Sequence, residues 1–185
     1  MTLRNTTRRW GVIAQLLHWL IVLFIVAQFT LATLFDELPA GAKKLTLLSR
    51  HKSIGITILM LALVRLVWRW NNPTPFLPDT LKPYERVLAR LTHLLLYVLL
   101  FAVPLSGWLM SSARGFPVSW FGFWQLPDLV PKNKGLYGAL LTTHGILAWT
   151  LGIVATVHLL AALKHHFVLK DDVLRRMLPF SSNKA

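Results

Sequence analysis

Four long apolar stretches constrain this chain more than anything else in its sequence. They run over residues 10–35, 45–70, 87–110 and 136–168. Each reaches the roughly 20 mostly apolar residues that a helix needs to cross a bilayer core. Backbone in lipid must satisfy its own polar groups, so each stretch reads as a helix. The expected fold is all-α: one integral-membrane four-helix bundle over residues 1–185. Only 15% of the residues are charged, against about a quarter in a soluble domain. That excludes a disordered chain, a soluble enzyme and a soluble nucleic-acid binder. Cysteine is absent, which excludes disulfides, zinc–thiolate sites, iron–sulfur clusters and a thiol nucleophile. The first stretch follows Arg8 and Arg9 as a signal peptide would. It is too long for one, and Leu38-Pro39-Ala40 is a poor cleavage site, so it is expected to stay as a helix.

Basic residues give the expected orientation. One side takes Arg4, Arg8, Arg9, Arg65, Arg69, Lys82, Arg86, Arg90, Lys164, Lys170, Arg175, Arg176 and Lys184. The other takes Lys43, Lys44, Arg50, Lys52, Arg114, Lys132 and Lys134. The richer side is expected to be cytoplasmic, with both termini on that side of an inner membrane. Prolines at 73, 75, 78 and 83 stiffen the inner connection. The outer connection, about 111–135, carries Trp120, Phe121, Phe123 and Trp124 and is expected to lie on the membrane or cap the bundle. The few carboxylates lie outside the spans, so a carboxylate hydrolase has no support.

The histidines carry the chemistry. Polar groups at membrane depth are costly and point to function. His144 and His158 are 14 residues apart on the fourth helix. At about 100° and 1.5 Å per residue they share a face and lie about 21 Å apart. One metal cannot bind both, but two stacked sites can use one each. His51 matches His144 in depth near the outer surface, and His18 matches His158 near the inner surface. Two neutral imidazoles on opposite faces of a planar ring is axial haem ligation, so two non-covalent haem b groups are expected. Zinc prefers donors clustered in one place. Small residues beside these histidines (Ala14, Gly55, Ala148, Ala155, Ala161) suit either a porphyrin or plain helix packing. His93 lies at the same depth as His18 and His158, and depth alone leaves open which two of the three bind the inner iron.

The ordered set His18-Trp19, His51 with Gly55, Arg65, Pro73-Thr74-Pro75, His93, Pro104-x-x-Gly107, Arg114-Gly115, Trp120-Phe121-Gly122-Phe123, His144, His158, His165-His166, Lys170-Asp171 and Arg176-Met177-Leu178-Pro179 resembles the bacterial di-haem cytochromes b561 over nearly the whole chain. The best-known activity of that family is superoxide:ubiquinone oxidoreductase. The resemblance implies His18 with His158 on the inner iron and His51 with His144 on the outer, with His93 or His165 near a quinone or haem edge. The outer loop matches least.

Bis-histidine ligation leaves no open iron position, which favours outer-sphere electron transfer over oxygen binding. The basic outer face, Lys43, Lys44, Arg50, Lys52, Arg114, Lys132 and Lys134, would gather a small anion such as superoxide. Ubiquinone is the expected acceptor. His165 or His166, with Lys82 or Arg86 nearby, would serve its protonation. One alternative is a haem b membrane subunit that passes electrons from a partner dehydrogenase or hydrogenase to quinone. Another is a transporter or structural protein without haem.

Overall fold

The computed structural model describes residues 2–77 and 81–179. Pro78 and Lys184 lie outside the described residues. Four helices cover the apolar stretches: α1 Val12–Asp36, α2 Ala42–Trp70, α3 Pro83–Arg114 and α4 Lys134–Phe167. Each is long and apolar enough to cross a membrane. α3 extends beyond 87–110 at both ends because local signals carry it past the apolar core. Pro83 opens it, where a missing N–H does no harm, and the Glu85 carboxylate accepts from the Lys82 N–H at 3.1 Å. It stops at Gly115, whose φ of 78° is left-handed and open to glycine. Pro104 sits inside α3 without ending it. Asn133 caps α4, its Oδ1 accepting from the Leu136 N–H at 2.9 Å.

α1 packs on α2, α2 on α3, and α3 on α4. Among the described residues, no Cα of α4 comes within 8 Å of one in α1 or α2. The packed core therefore lies between the first three helices. It is built on Ile21, Ile58, Ala62 and Leu100, with Phe24, Ile54 and Phe101 against them. Leu23, Val26, Leu63, Leu94, Ile146 and Ile153 face outward. In water such a surface would aggregate; here it is the lipid contact.

The α3–α4 connection caps one end of the bundle. It contains a small antiparallel hairpin, β1 Ser119–Trp120 and β2 Trp124–Gln125, that the helical reading did not include. Phe121 and Gly122 turn it, both with positive φ. Ser53 pins the hairpin to α2: its buried hydroxyl oxygen accepts from the Phe121 N–H at 3.0 Å and lies 3.0 Å from the Ser119 carbonyl. The Trp120 indole donates to Thr57 Oγ1 at 3.1 Å.

The opposite end gathers the segment after α4 against α1 and the α2–α3 connection. Gln15 Nε2 donates to the Arg176 carbonyl at 3.0 Å, and the Trp19 indole donates to Met177 at 2.9 Å. Arg176 Nη1 reaches the Phe76 carbonyl at 2.8 Å. The chain after α4 thus folds back beneath α1 and the α2–α3 connection. Below, the two ends are called the hairpin end and the terminal end.

Candidate functional site

Two pairs of imidazoles bridge the separation between α4 and the first two helices. At the terminal end, His18 of α1 faces His158 of α4 with ring centroids 6.4 Å apart and planes at 80°. At the hairpin end, His51 of α2 faces His144 of α4 at 6.4 Å and 82°. Two independent pairs thus share one spacing. Metal–nitrogen bonds of about 2.1 Å, plus about 1.1 Å from nitrogen to ring centre, put trans imidazoles on one iron about 6.4 Å apart. The residues present therefore fit a haem held by two histidines at each level. Among the described residues, no three His, Asp or Glu converge on one point as a metal cluster.

His93 of α3 stands apart from this pattern. Its ring lies 5.3 Å from that of His158. That is about an ångström short of the trans spacing, so the two rings cannot take opposite faces of one iron without moving. His93 packs beside His158 instead.

Neighbours orient the His144 ring. Its Nδ1–H donates to the Val103 carbonyl at 3.1 Å, with the Ser106 hydroxyl oxygen also at 3.1 Å. Ser106 sends its own proton to the same carbonyl at 2.8 Å. A carbonyl can only accept, so Nδ1 carries the hydrogen and Nε2 is left with a free lone pair, the form a metal ligand needs. Gly107 completes the seat: a Cβ there would lie 3.0 Å from His144 Cε1 and 3.3 Å from Nδ1. His51 differs, since its buried Nδ1 has no hydrogen-bond partner among the described residues. Its carbonyl accepts from Gln28 Nε2 at 3.0 Å, and Phe35 stands edge-on to its ring.

Two of the small residues lie in helix packing. Gly55 borders Gln28, whose Nε2 would be 3.2 Å from an added Cβ, so it serves the approach of α1 to α2. Ala14 is buried in that same contact, and its carbonyl accepts from Arg65 Nη1 at 2.6 Å.

The cations of the hairpin end are not one cluster. Lys52 and Arg114 converge on Phe116. Lys52 Nζ donates to the Phe116 carbonyl at 3.2 Å, and the Arg114 guanidinium lies 5.0 Å from its ring. Arg114 also donates to the Tyr137 hydroxyl at 3.1 Å. The Lys132 side chain passes beside Gly115. Lys44 is engaged elsewhere, donating to the Leu38 carbonyl at 3.0 Å in the α1–α2 turn. Lys43, Arg50 and Lys134 are exposed.

At the terminal end, His165 and His166 have separate surroundings. His165 Nδ1 lies 2.5 Å from Asp171 Oδ2, and both side chains are mostly buried. Asp171 Oδ1 accepts from the Val173 N–H, which anchors the returning chain. His166 stacks edge-on against Phe167, and its buried Nδ1 has no hydrogen-bond partner among the described residues. Lys82 lies over Tyr84, while Arg86 Nε donates to the Leu81 carbonyl at 3.2 Å.

Sequence reasoning missed Val103 and Ser106, which orient His144, and Asp171 as the partner of His165. Pro104-x-x-Gly107 was visible and encloses Ser106. Nothing in it announced that α3 would present this turn to α4.

A family model described as prokaryotic cytochrome b561 matches residues 9–180. The chain is 37% identical to cytochrome b561 homolog 2 of Escherichia coli K12, over 99% of this chain and 98% of that one. It is 33% identical to a Yersinia pestis protein named probable superoxide oxidase CybB, over 88% of this chain and 92% of the relative. Cytochrome b562 of Cereibacter sphaeroides is 28% identical, over 88% and 90% respectively. These matches span the four membrane-crossing helices together with the histidines at both levels, and the chain belongs to the prokaryotic cytochrome b561 family, haem b electron-transfer proteins of the bacterial inner membrane.

Proposed function

We propose that the chain carries electrons between two haem b groups, held by His51 with His144 at the hairpin end and by His18 with His158 at the terminal end. The reading takes superoxide as donor at a periplasmic hairpin end and ubiquinone as acceptor at a cytoplasmic terminal end. The observation that carries it is the repeated 6.4 Å imidazole pair, with the α4 members about 21 Å apart along the helix.

Haem b, when bound, supplies a one-electron carrier at each pair. The protein does the rest. Val103 and Ser106 hold the proton on His144 Nδ1 and so fix the ring that faces the iron. The hairpin is held against α2 at Ser53, two residues from His51, and would limit water there. Lys52 and Arg114 put positive charge beside it, which favours a small anion. Oxidation of two superoxide anions to dioxygen yields two electrons. These, with two protons, convert ubiquinone to ubiquinol. The His165–Asp171 pair can hold and pass a proton at the terminal end through the hydrogen bond between them. The name of the Yersinia pestis relative supports superoxide as donor, and the surplus of basic residues at the terminal end supports its cytoplasmic side.

The test is a reduced-minus-oxidised spectrum of purified protein with haem counted per chain. Two low-spin b-type haems are expected, falling to one in His144→Ala and in His158→Ala. Superoxide should then reduce the protein, and a ubiquinone analogue should reoxidise it. No haem after expression with ample haem supply would refute the reading. Two haems that superoxide cannot reduce would remove the donor.

A further inference from the structure

Between the two imidazole levels, a side chain from α1 crosses to α4. Phe29 points end-on at Gly152: a Cβ on Gly152 would lie 3.0 Å from Phe29 Cζ, and 3.5 and 3.7 Å from Cε1 and Cε2. The same ring meets Trp149 at 6.2 Å between centroids and 58° between planes. Gly152 comes eight residues after His144 and six before His158. By helix rise it is about 12 Å from one and about 9 Å from the other. Among the described residues, no Cα of α1 lies within 8 Å of one in α4. The Phe29 ring thus occupies the separation between the helices at the level midway between the imidazole pairs, and the missing side chain at Gly152 is the notch that receives it.

We propose that Phe29, seated in the Gly152 notch, is a positioning residue that sets the coupling between the two haem levels. The proposal rests on the two-haem reading above. The ring acts in two ways. It keeps water out of the membrane midplane, where a low dielectric lets charge at one level act on the other. It also fills the interval with packed, polarisable atoms, where its loss would leave a void. Reduction at one level adds negative charge and disfavours reduction at the other, so strong coupling spreads the two midpoint potentials apart. A wet midplane screens that effect and draws them together.

The test uses purified holoprotein and three variants. Phe29→Ala removes the ring. Gly152→Ala keeps the ring and displaces it. Phe29→Leu keeps the interval apolar and filled. Haem content, thermal midpoint, the separation of the two midpoint potentials and the rate of electron equilibration between the haems are measured for each. Phe29→Ala and Gly152→Ala are expected to keep two haems per chain and to narrow the separation. They should slow equilibration by about tenfold or more, the scale on which ångström-level displacement of reacting partners acts. Phe29→Leu should restore the separation. If Phe29→Ala loses haem, the comparison of Gly152→Ala with Phe29→Leu decides. Two haems with unchanged separation and rate in both Gly152→Ala and Phe29→Ala would overturn the proposal and leave the two-haem reading standing. So would changes that only track lost haem or a lowered thermal midpoint. One haem in the unsubstituted protein would overturn both.

Discussion

A single methyl group added at Gly107 lands on the His144 ring. Its carbon would lie 3.0 Å from Cε1 and 3.3 Å from Nδ1, whereas carbon atoms in contact settle at about 3.5–4.0 Å. The ring must retreat by about 0.5 Å, more than the tolerance of about 0.2 Å on a metal–ligand bond. The retreat also strains the bond from Nδ1–H to the Val103 carbonyl. Overpacking of this kind costs about 1–3 kcal/mol, which is about fivefold to about 150-fold in affinity for a haem at that level. The helix itself gains from the change, since alanine is about 1 kcal/mol better than glycine inside it. Gly107→Ala should therefore spare the fold and weaken one haem alone. The assay is haem content and haem affinity per chain, with a helicity melt of the same sample. Gly138→Ala and Gly145→Ala on α4 are the controls, because an added Cβ meets nothing within 4 Å at either. The expected result is loss at the His51/His144 level, an intact His18/His158 level and unaltered controls. Two haems bound as tightly as before in Gly107→Ala would refute the reasoning.

Three further outcomes follow from the geometry. His93→Ala should keep two haems where His158→Ala keeps one, because His93 stands 5.3 Å from His158 rather than at the trans spacing; loss of a haem in His93→Ala would give the inner iron a different ligand pair. Ser53→Ala removes the oxygen that accepts from Phe121 and should cost about 1–3 kcal/mol locally, read as faster hydrogen exchange and proteolysis at the hairpin with helix content unchanged. Neutralising Lys52 and Arg114 together should slow reduction by superoxide and flatten its dependence on ionic strength; an unchanged salt slope would remove these two residues from anion gathering.

Some of this was written along the chain. Helix length and apolarity are local properties, so the four crossings follow from the sequence, with ends off by a few residues where Pro83 and Gly115 set the limits of α3. The interval between His144 and His158 is likewise one-dimensional: 14 residues on one helix fix a shared face and two levels. Depth along a helix, however, says nothing of how each helix is rotated about its axis or which neighbour it meets. Three histidines reach the inner level, and rotation brings His18 to 6.4 Å from His158 while setting His93 at 5.3 Å. The same rotation turns Val103, Ser106 and Gly107 toward His144. It also aims Phe29 at Gly152. The hairpin depends on Ser53, a residue that only a folded α2 places beneath it. Local chemistry determined what crosses the membrane and at what depth each imidazole lies. Packing between helices decided which imidazoles face each other, which proton is held and what stands between the two levels, because those depend on contacts among residues far apart in the chain.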